Sequence, residues 1–171
     1  YRIRQILPEY WDASTPCAEW DVYDLVAHCV VVNMRASLIL EGASFEDVMS
    51  VVPEVVVEDP EMAWEVSWRN VVAAFAQTDI EGQVELGAQT IPTIEFLRIR
   101  ACDLAVHAWD LAVGLGVDDR IDDEVVAAAL LWARDRRDQM AQMPELFDPP
   151  KTSSSDADDQ TQLLEIFGRE V

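Results

Sequence analysis

The sequence predicts an all-α fold, a single domain over residues 1–171 built as a bundle of four sizeable helices, with a small hairpin near residues 80–90. Three observations carry this. Start signals stand at Asp21 and at Asp59-Pro60; an aspartate accepts hydrogen bonds from the orphan N–H groups of a first helical turn, and proline is tolerated there because it has no N–H to lose. Stop signals stand at Glu41-Gly42, at Gly114 with Gly116, and at Pro144. Half of the 171 residues are hydrophobic, enough for a core and too many for wholesale disorder.

Taken in order, residues 1–14 hold a short helical piece interrupted by Pro8, and Thr15-Pro16-Cys17 turns into the first long helix. Asp21 is its N-cap, with Asp24 three residues on as the capping-box partner. The helix runs to about Leu40, with Val22, Leu25, Val26, Cys29 and Val30 on its apolar side. Residues 43–58 read as a loop containing the apolar run Val55-Val56-Val57. A second helix covers about 60–77, and the alternation Gln83-Val84-Glu85-Leu86 between glycines reads as a loop or hairpin. A third helix runs from Pro92 or Thr93 to about Val113 and a fourth from about Asp123 to Met143. Residues 144–156 read as an exposed loop, and a last short helix spans Asp158 to Phe167.

Charge narrows the partners. Asp and Glu number 33 against 12 Lys and Arg, for a formal net charge of -21. That field repels nucleic acid and anionic membrane, so small molecules are the expected partners, and a homodimer is the assembly admitted. No apolar run reaches the roughly 18 residues of a membrane span; the longest candidate, Leu25 to Leu40, is broken by His28, Asn33 and Arg35. No hydrophobic leader is visible, and the start on Tyr1 rather than Met is expected to be a trimmed one. Three cysteines, Cys17, Cys29 and Cys102, fit no disulfide framework and suit a reducing cytoplasm.

The chemistry centres on two histidines, the only two in the chain, each four residues after an aspartate: Asp24/His28 and Asp103/His107. Residues four apart share a helix face, so each pair can converge on one point. Carboxylate oxygen and imidazole nitrogen are the donors used by zinc and related divalent ions. Spacing alone leaves a surface ion pair or a satisfied core histidine as the commoner explanation.

The neighbouring residues add weight. The segments Thr15-Pro16-Cys17-Ala18-Glu19-Trp20-Asp21-Val22 with Asp24-Leu25 and His28, then Asp103-Leu104-Ala105-Val106-His107-Ala108-Trp109-Asp110-Leu111-Ala112 with Gly116, and finally Leu163-Leu164 with Phe167-Gly168-Arg169, occur in order along the chain. Together they resemble the DinB-like superfamily, in particular the metal-binding domain of mycothiol-dependent maleylpyruvate isomerase. The resemblance implies a DinB-like four-helix bundle holding one divalent metal on His28, Asp103 and His107, with zinc expected first and nickel next. It also implies a low-molecular-weight thiol such as mycothiol as co-substrate. Asp103 stands at a position where relatives also carry Glu, one methylene longer. The family's bundle opens with a full helix where only about a dozen residues precede Thr15 here, so the first helix is truncated or another element fills its place. The isomerase carries a further C-terminal domain for which this sequence leaves no room, so that enzyme's own activity is not carried over.

Other residues take lesser roles. Asp24 is a fourth ligand, an acceptor for an imidazole N–H, or part of the helix start, the last two being preferred together. Asp110, three residues past His107, is a second such acceptor, or an acid in solvent. Cys29 and Cys102 adjoin ligands in sequence but lie about 100° around the helix, and are read as core, as is Cys17. Trp20 and Trp109 are expected to wall a pocket, and Trp64, Trp68 and Trp132 to be core. The functions kept open are a metal-dependent thiol transferase or isomerase, a metal-assisted hydrolase, and a non-catalytic metal- or ligand-binding bundle.

Overall fold

The structure is a computed structural model that describes Ile3 and residues 6–51, 59–142, 148–152 and 156–171. It is mostly helical, with α1 (Val22–Leu40), α2 (Phe45–Met49), α3 (Pro60–Gln77), α4 (Thr93–Leu115), α5 (Asp123–Met140) and α6 (Asp159–Ile166). One antiparallel two-stranded sheet joins β1 (Gln83–Leu86) to β2 (Gln89–Pro92). The chain divides into two compact units, residues 1–99 and 100–171, and α4 contributes to both.

In the first unit, a 3-10 turn at Pro8–Tyr10 begins at the proline that was expected to interrupt a helix. The Thr15 hydroxyl donates to the Trp20 carbonyl at 2.9 Å and accepts from the Cys17 amide at 3.2 Å. Glu19 adopts a φ of 65°, closing a tight turn that delivers the chain into α1. Asp21 caps α1 as expected: its carboxylate accepts from the Asp24 amide at 2.8 Å, while the Asp24 carboxylate accepts from the Asp21 amide at 3.4 Å. Ten residues of α1 are buried, Val22, Leu25, Val26 and Val30 among them.

α1 packs chiefly against α3. Asp59 caps α3 by accepting from the Met62 amide at 2.9 Å, with Pro60 at the first helical position. Ala36, Val71, Val84 and Phe96 form an apolar core, flanked by Ile39, Leu40, Phe75 and Ile91. The hairpin sits on this core through Val84 and Ile91, which pair across the strands. Its two-residue connection, Gly87-Ala88, places a φ of 60° on the glycine, the pattern of a type II′ turn.

In the second unit α5 packs against α6. Asp122 caps α5 by accepting from the Glu124 amide at 3.0 Å, and Asp158 caps α6 by accepting from the Thr161 amide at 2.7 Å. Leu130, Leu163 and Leu164 are buried. α6 ends in a Schellman motif: the Arg169 amide donates to the Leu164 carbonyl at 3.0 Å and the Gly168 amide to the Glu165 carbonyl at 3.1 Å. Gly168 has a φ of 80°, and a Cβ there would lie 2.4 Å from the Asp148 Cβ. Only glycine satisfies both the turn and the contact.

Three expectations need correction, and others fall outside the described residues. Residues 45–49, expected as loop, form α2, because Ser44 is a good N-cap and accepts from the Asp47 amide at 3.2 Å. The Val55–Val57 run lies outside the described residues, as do residues 143–147 and 153–155 of the expected exposed loop. Trp68 is 43% exposed rather than core and stacks on the Trp64 ring at 6.0 Å. α1, 19 residues long with an 18-residue stretch of mean hydropathy 1.4, is long and apolar enough to cross a membrane by length and composition; core helices pass the same test, and more than half of that stretch is buried in the fold.

Candidate metal centre

The predicted ligands are divided between the units, with His28 on α1 in the first and Asp103 and His107 on α4 in the second. His28 is half-buried, and the Trp20 ring, delivered by the Thr15–Trp20 turn, lies against it at 4.7 Å between centroids. Asp24, in the turn before His28, is exposed and engaged in the capping box. Its role is the helix start.

In the second unit the spacing of α4 brings four side chains into one row, and a fifth joins it from the end of the chain. Arg100, Asp103, His107 and Asp110 follow one another at three-, four- and three-residue steps, the interval at which helical side chains meet. Arg100 donates to Asp103 Oδ2 at 2.7 Å. Asp103 Oδ1 lies 3.5 Å from His107 Nε2. His107 Nδ1 lies 2.9 Å from Asp110 Oδ2. Arg169 completes the row from the end of the chain, donating from Nε to Asp110 Oδ1 and from Nη2 to Asp110 Oδ2, both at 2.8 Å.

Burial makes the row rigid. Asp110 is fully buried, Arg100 and Arg169 are 5% and 9% exposed, and the His107 side chain is 11% exposed. Burial pushes the Asp110 carboxyl up, but the hydrogen bonds from His107 and Arg169 and the Arg169 charge outweigh it and hold the group below its ordinary value. Asp110 is therefore a carboxylate, an acceptor only, so His107 Nδ1 carries the proton. The lone pair of a neutral His107 then sits on Nε2, the nitrogen nearest Asp103.

That arrangement suits a divalent ion. Two atoms each about 2.0–2.2 Å from one tetrahedral ion stand about 3.3–3.6 Å apart, and Asp103 Oδ1 and His107 Nε2 meet that spacing at 3.5 Å. A ligating histidine ordinarily donates its other N–H to a carboxylate, and Asp110 is that acceptor. His107 belongs to each candidate metal-ligand group found among the described residues. The same row is an ion-pair network whenever His107 is protonated.

Asp110 was legible as an acceptor from its spacing to His107, and its complete burial excludes the solvent-facing alternative. Arg100 and Arg169 were not assigned roles. The three-residue step from Arg100 to Asp103 was a visible signal, whereas nothing in sequence joins Arg169 to a helix 59 residues earlier. Trp109 is 3% exposed and donates from Nε1 to Asp119 at 3.2 Å, which fastens the loop after α4. The three cysteines are buried thiols, none of them in a disulfide.

Residues 2–112 match the family described as the mycothiol maleylpyruvate isomerase N-terminal domain. Two proteins from two strains of Mycobacterium tuberculosis, both described as uncharacterized, are 29% identical to this chain over 120 residues. The aligned stretch covers 70% of this chain and 63% of theirs, so the match spans under two thirds of those relatives. No solved structure matches the chain.

Proposed function

This chain belongs to the mycothiol maleylpyruvate isomerase N-terminal domain family, and we propose on that premise that it is a divalent-metal-binding protein of the DinB-like four-helix-bundle type. The reading takes residues 1–171 as one domain and His28, Asp103 and His107 as the ligands. The observation that carries it is the Asp103–His107 pair, spaced for a common ion at 3.5 Å, with the far ring nitrogen held by a buried carboxylate. Zinc is the ion that the mixed nitrogen and oxygen donor set suits best, with nickel next.

When bound, such an ion lowers the pKa of a thiol or water in an open coordination position, making a nucleophile at neutral pH. The chain's own residues prepare that position. Asp110 keeps the proton on His107 Nδ1. Arg100 binds Asp103 Oδ2, so that Oδ1 is the oxygen turned to His107. Trp20 packs on His28 and limits its rotation. The activity this favours is a metal-dependent transfer or isomerisation using a low-molecular-weight thiol, for which the family's name suggests mycothiol, in the cytoplasm. The second reading is a non-catalytic binding domain, favoured by the two arginines that already neutralise Asp103 and Asp110.

The test begins with the metal content of the purified protein and a zinc titration of the full chain. Binding should weaken as pH falls through the histidine range, because ligating imidazoles must be neutral. His107→Ala should abolish uptake. With metal bound, turnover of a thiol and an electrophile that His107→Ala eliminates supports the enzyme. No turnover across a broad panel of thiols, with metal demonstrably held, favours the binding domain.

A further inference from the structure

We infer that Arg169 is a positioning residue that fixes the ring of His107 through Asp110. The guanidinium meets both Asp110 oxygens at 2.8 Å, in the two-point geometry that only arginine supplies. Both groups are at least nine-tenths buried, so the pair is held by its surroundings as well as by its charges. Asp110 thus has one oxygen, Oδ2, shared between Arg169 and His107 Nδ1. Its plane cannot turn without breaking two bonds to Arg169, and the ring that donates to it inherits that orientation.

The end of α6 is built to deliver this arginine. The Schellman motif reverses the chain at Gly168, and the contact of Gly168 with Asp148 tolerates no Cβ. Arg169 Nη1 then donates to its own turn, at the Phe167 carbonyl at 2.9 Å, and to Asp148 Oδ2 at 3.3 Å. Every N–H group named here faces an acceptor in this arrangement, so the side chain has one preferred pose. The Phe167-Gly168-Arg169 segment is therefore part of the histidine's support.

Two readouts separate this from a merely structural ion pair. In the metal-free full chain at about pH 8, above the ordinary histidine range, nitrogen–carbon correlation NMR reports which ring nitrogen of His107 bears the proton, with His28 as internal reference. The wild type is expected to show the proton on Nδ1. Arg169→Lys keeps the charge and the fold but offers a single point in place of the fork. It should shift His107 toward a mixture of tautomers and lower zinc affinity by about 10–100-fold, the usual effect of losing an outer partner of a ligating histidine. Arg169→Ala should do more, wherever circular dichroism shows it folded. The step from ring orientation to zinc affinity rests on the metal reading above, and the two fail separately. A tautomer change in Arg169→Lys, in a wild type that binds no zinc, supports the positioning role and sinks the metal reading. Unchanged tautomer and unchanged zinc affinity in a folded Arg169→Lys overturn the positioning role while leaving the metal reading intact.

Discussion

Residues 1–99 and 100–171 are held by different means. The first unit packs Ala36, Val71, Val84 and Phe96 into an apolar cluster with a hairpin seated on it. The second buries leucines between α5 and α6 but also encloses a charged row, with Asp110 and Arg169 out of water. An apolar core gains from any removal of hydrocarbon from water and has no required partner. A buried ion pair gains only while both partners and their geometry survive. The first arrangement buys bulk stability; the second holds one imidazole in one orientation, and is justified by what that imidazole does.

The sharpest way to test the contrast is to damage each and then attempt repair. Phe96→Ala should destabilise the protein by about 3–5 kcal/mol, through lost burial and the cavity left behind. Arg169→Ala should also cost about 3–5 kcal/mol, because it strands a buried carboxylate. Urea denaturation measures both. The repairs should differ. Arg169→Met combined with Asp110→Leu removes both charges and should return stability to near wild type, since apolar replacement of a whole buried pair is often neutral or stabilising. The repaired protein should still bind zinc worse than wild type, because His107 has lost its acceptor. A repaired variant with full zinc affinity would show that the row has no bearing on the site.

Gly168→Ala comes next. It asks a residue with a Cβ to adopt a φ of 80° and to meet the Asp148 Cβ at 2.4 Å. The conformational penalty alone is about 1–2 kcal/mol, and the contact adds to it. The melting temperature should fall, and more than for Ala at Gly42, whose Cβ would meet nothing within 4 Å.

Acid should also separate the two regions. Among the described residues, Asp110, Asp158 and Glu170, which lie in residues 100–171, are carboxyls held clearly below their ordinary values. Asp158 is lowered by the Thr161 amide that it caps, and Glu170 by its hydrogen bond and ion pair with Lys151. A carboxyl with a lower pKa folded than unfolded stabilises the fold fully above its unfolded value, about 3.9 for Asp. That contribution is lost as pH falls through the folded value. Between about pH 5 and pH 2, amide-exchange protection should therefore fall in residues 100–171 before it falls in residues 1–99. The smallest effect belongs to α3: Trp68→Ser should lower stability by about 0.5–1.5 kcal/mol, the worth of its stack on Trp64.

The parts of the fold legible in sequence were those written in local chemistry. Asp21 and Asp59, read as start signals, cap helices, and a cap is a side chain acting on amides two or three residues away. Periodicity located α1, α3, α4 and α5 for the same reason. α2 escaped because five residues are too few to show a period. In the site, Asp103, His107 and Asp110 were readable from their steps on one helix. Arg169 was noticed only as part of a matching segment, because its partner is set by tertiary structure, and no spacing rule reaches across 59 residues. Trp68 was misplaced because tryptophan on a helix suggests a core, while here two indoles four residues apart cover one another at the surface.

That stacked pair has an optical consequence. Trp64 and Trp68 lie almost parallel, at 8° between planes, and Trp68 is 43% exposed on a chain of net charge -21. Such a field gathers small cations and turns away anions. Caesium should therefore quench the emission of this pair more strongly than iodide at equal low ionic strength, and added salt should bring the two quenchers together as screening sets in. Because the stack exists only while residues 64 and 68 share a helical face, its loss would mark the unwinding of α3 by light alone.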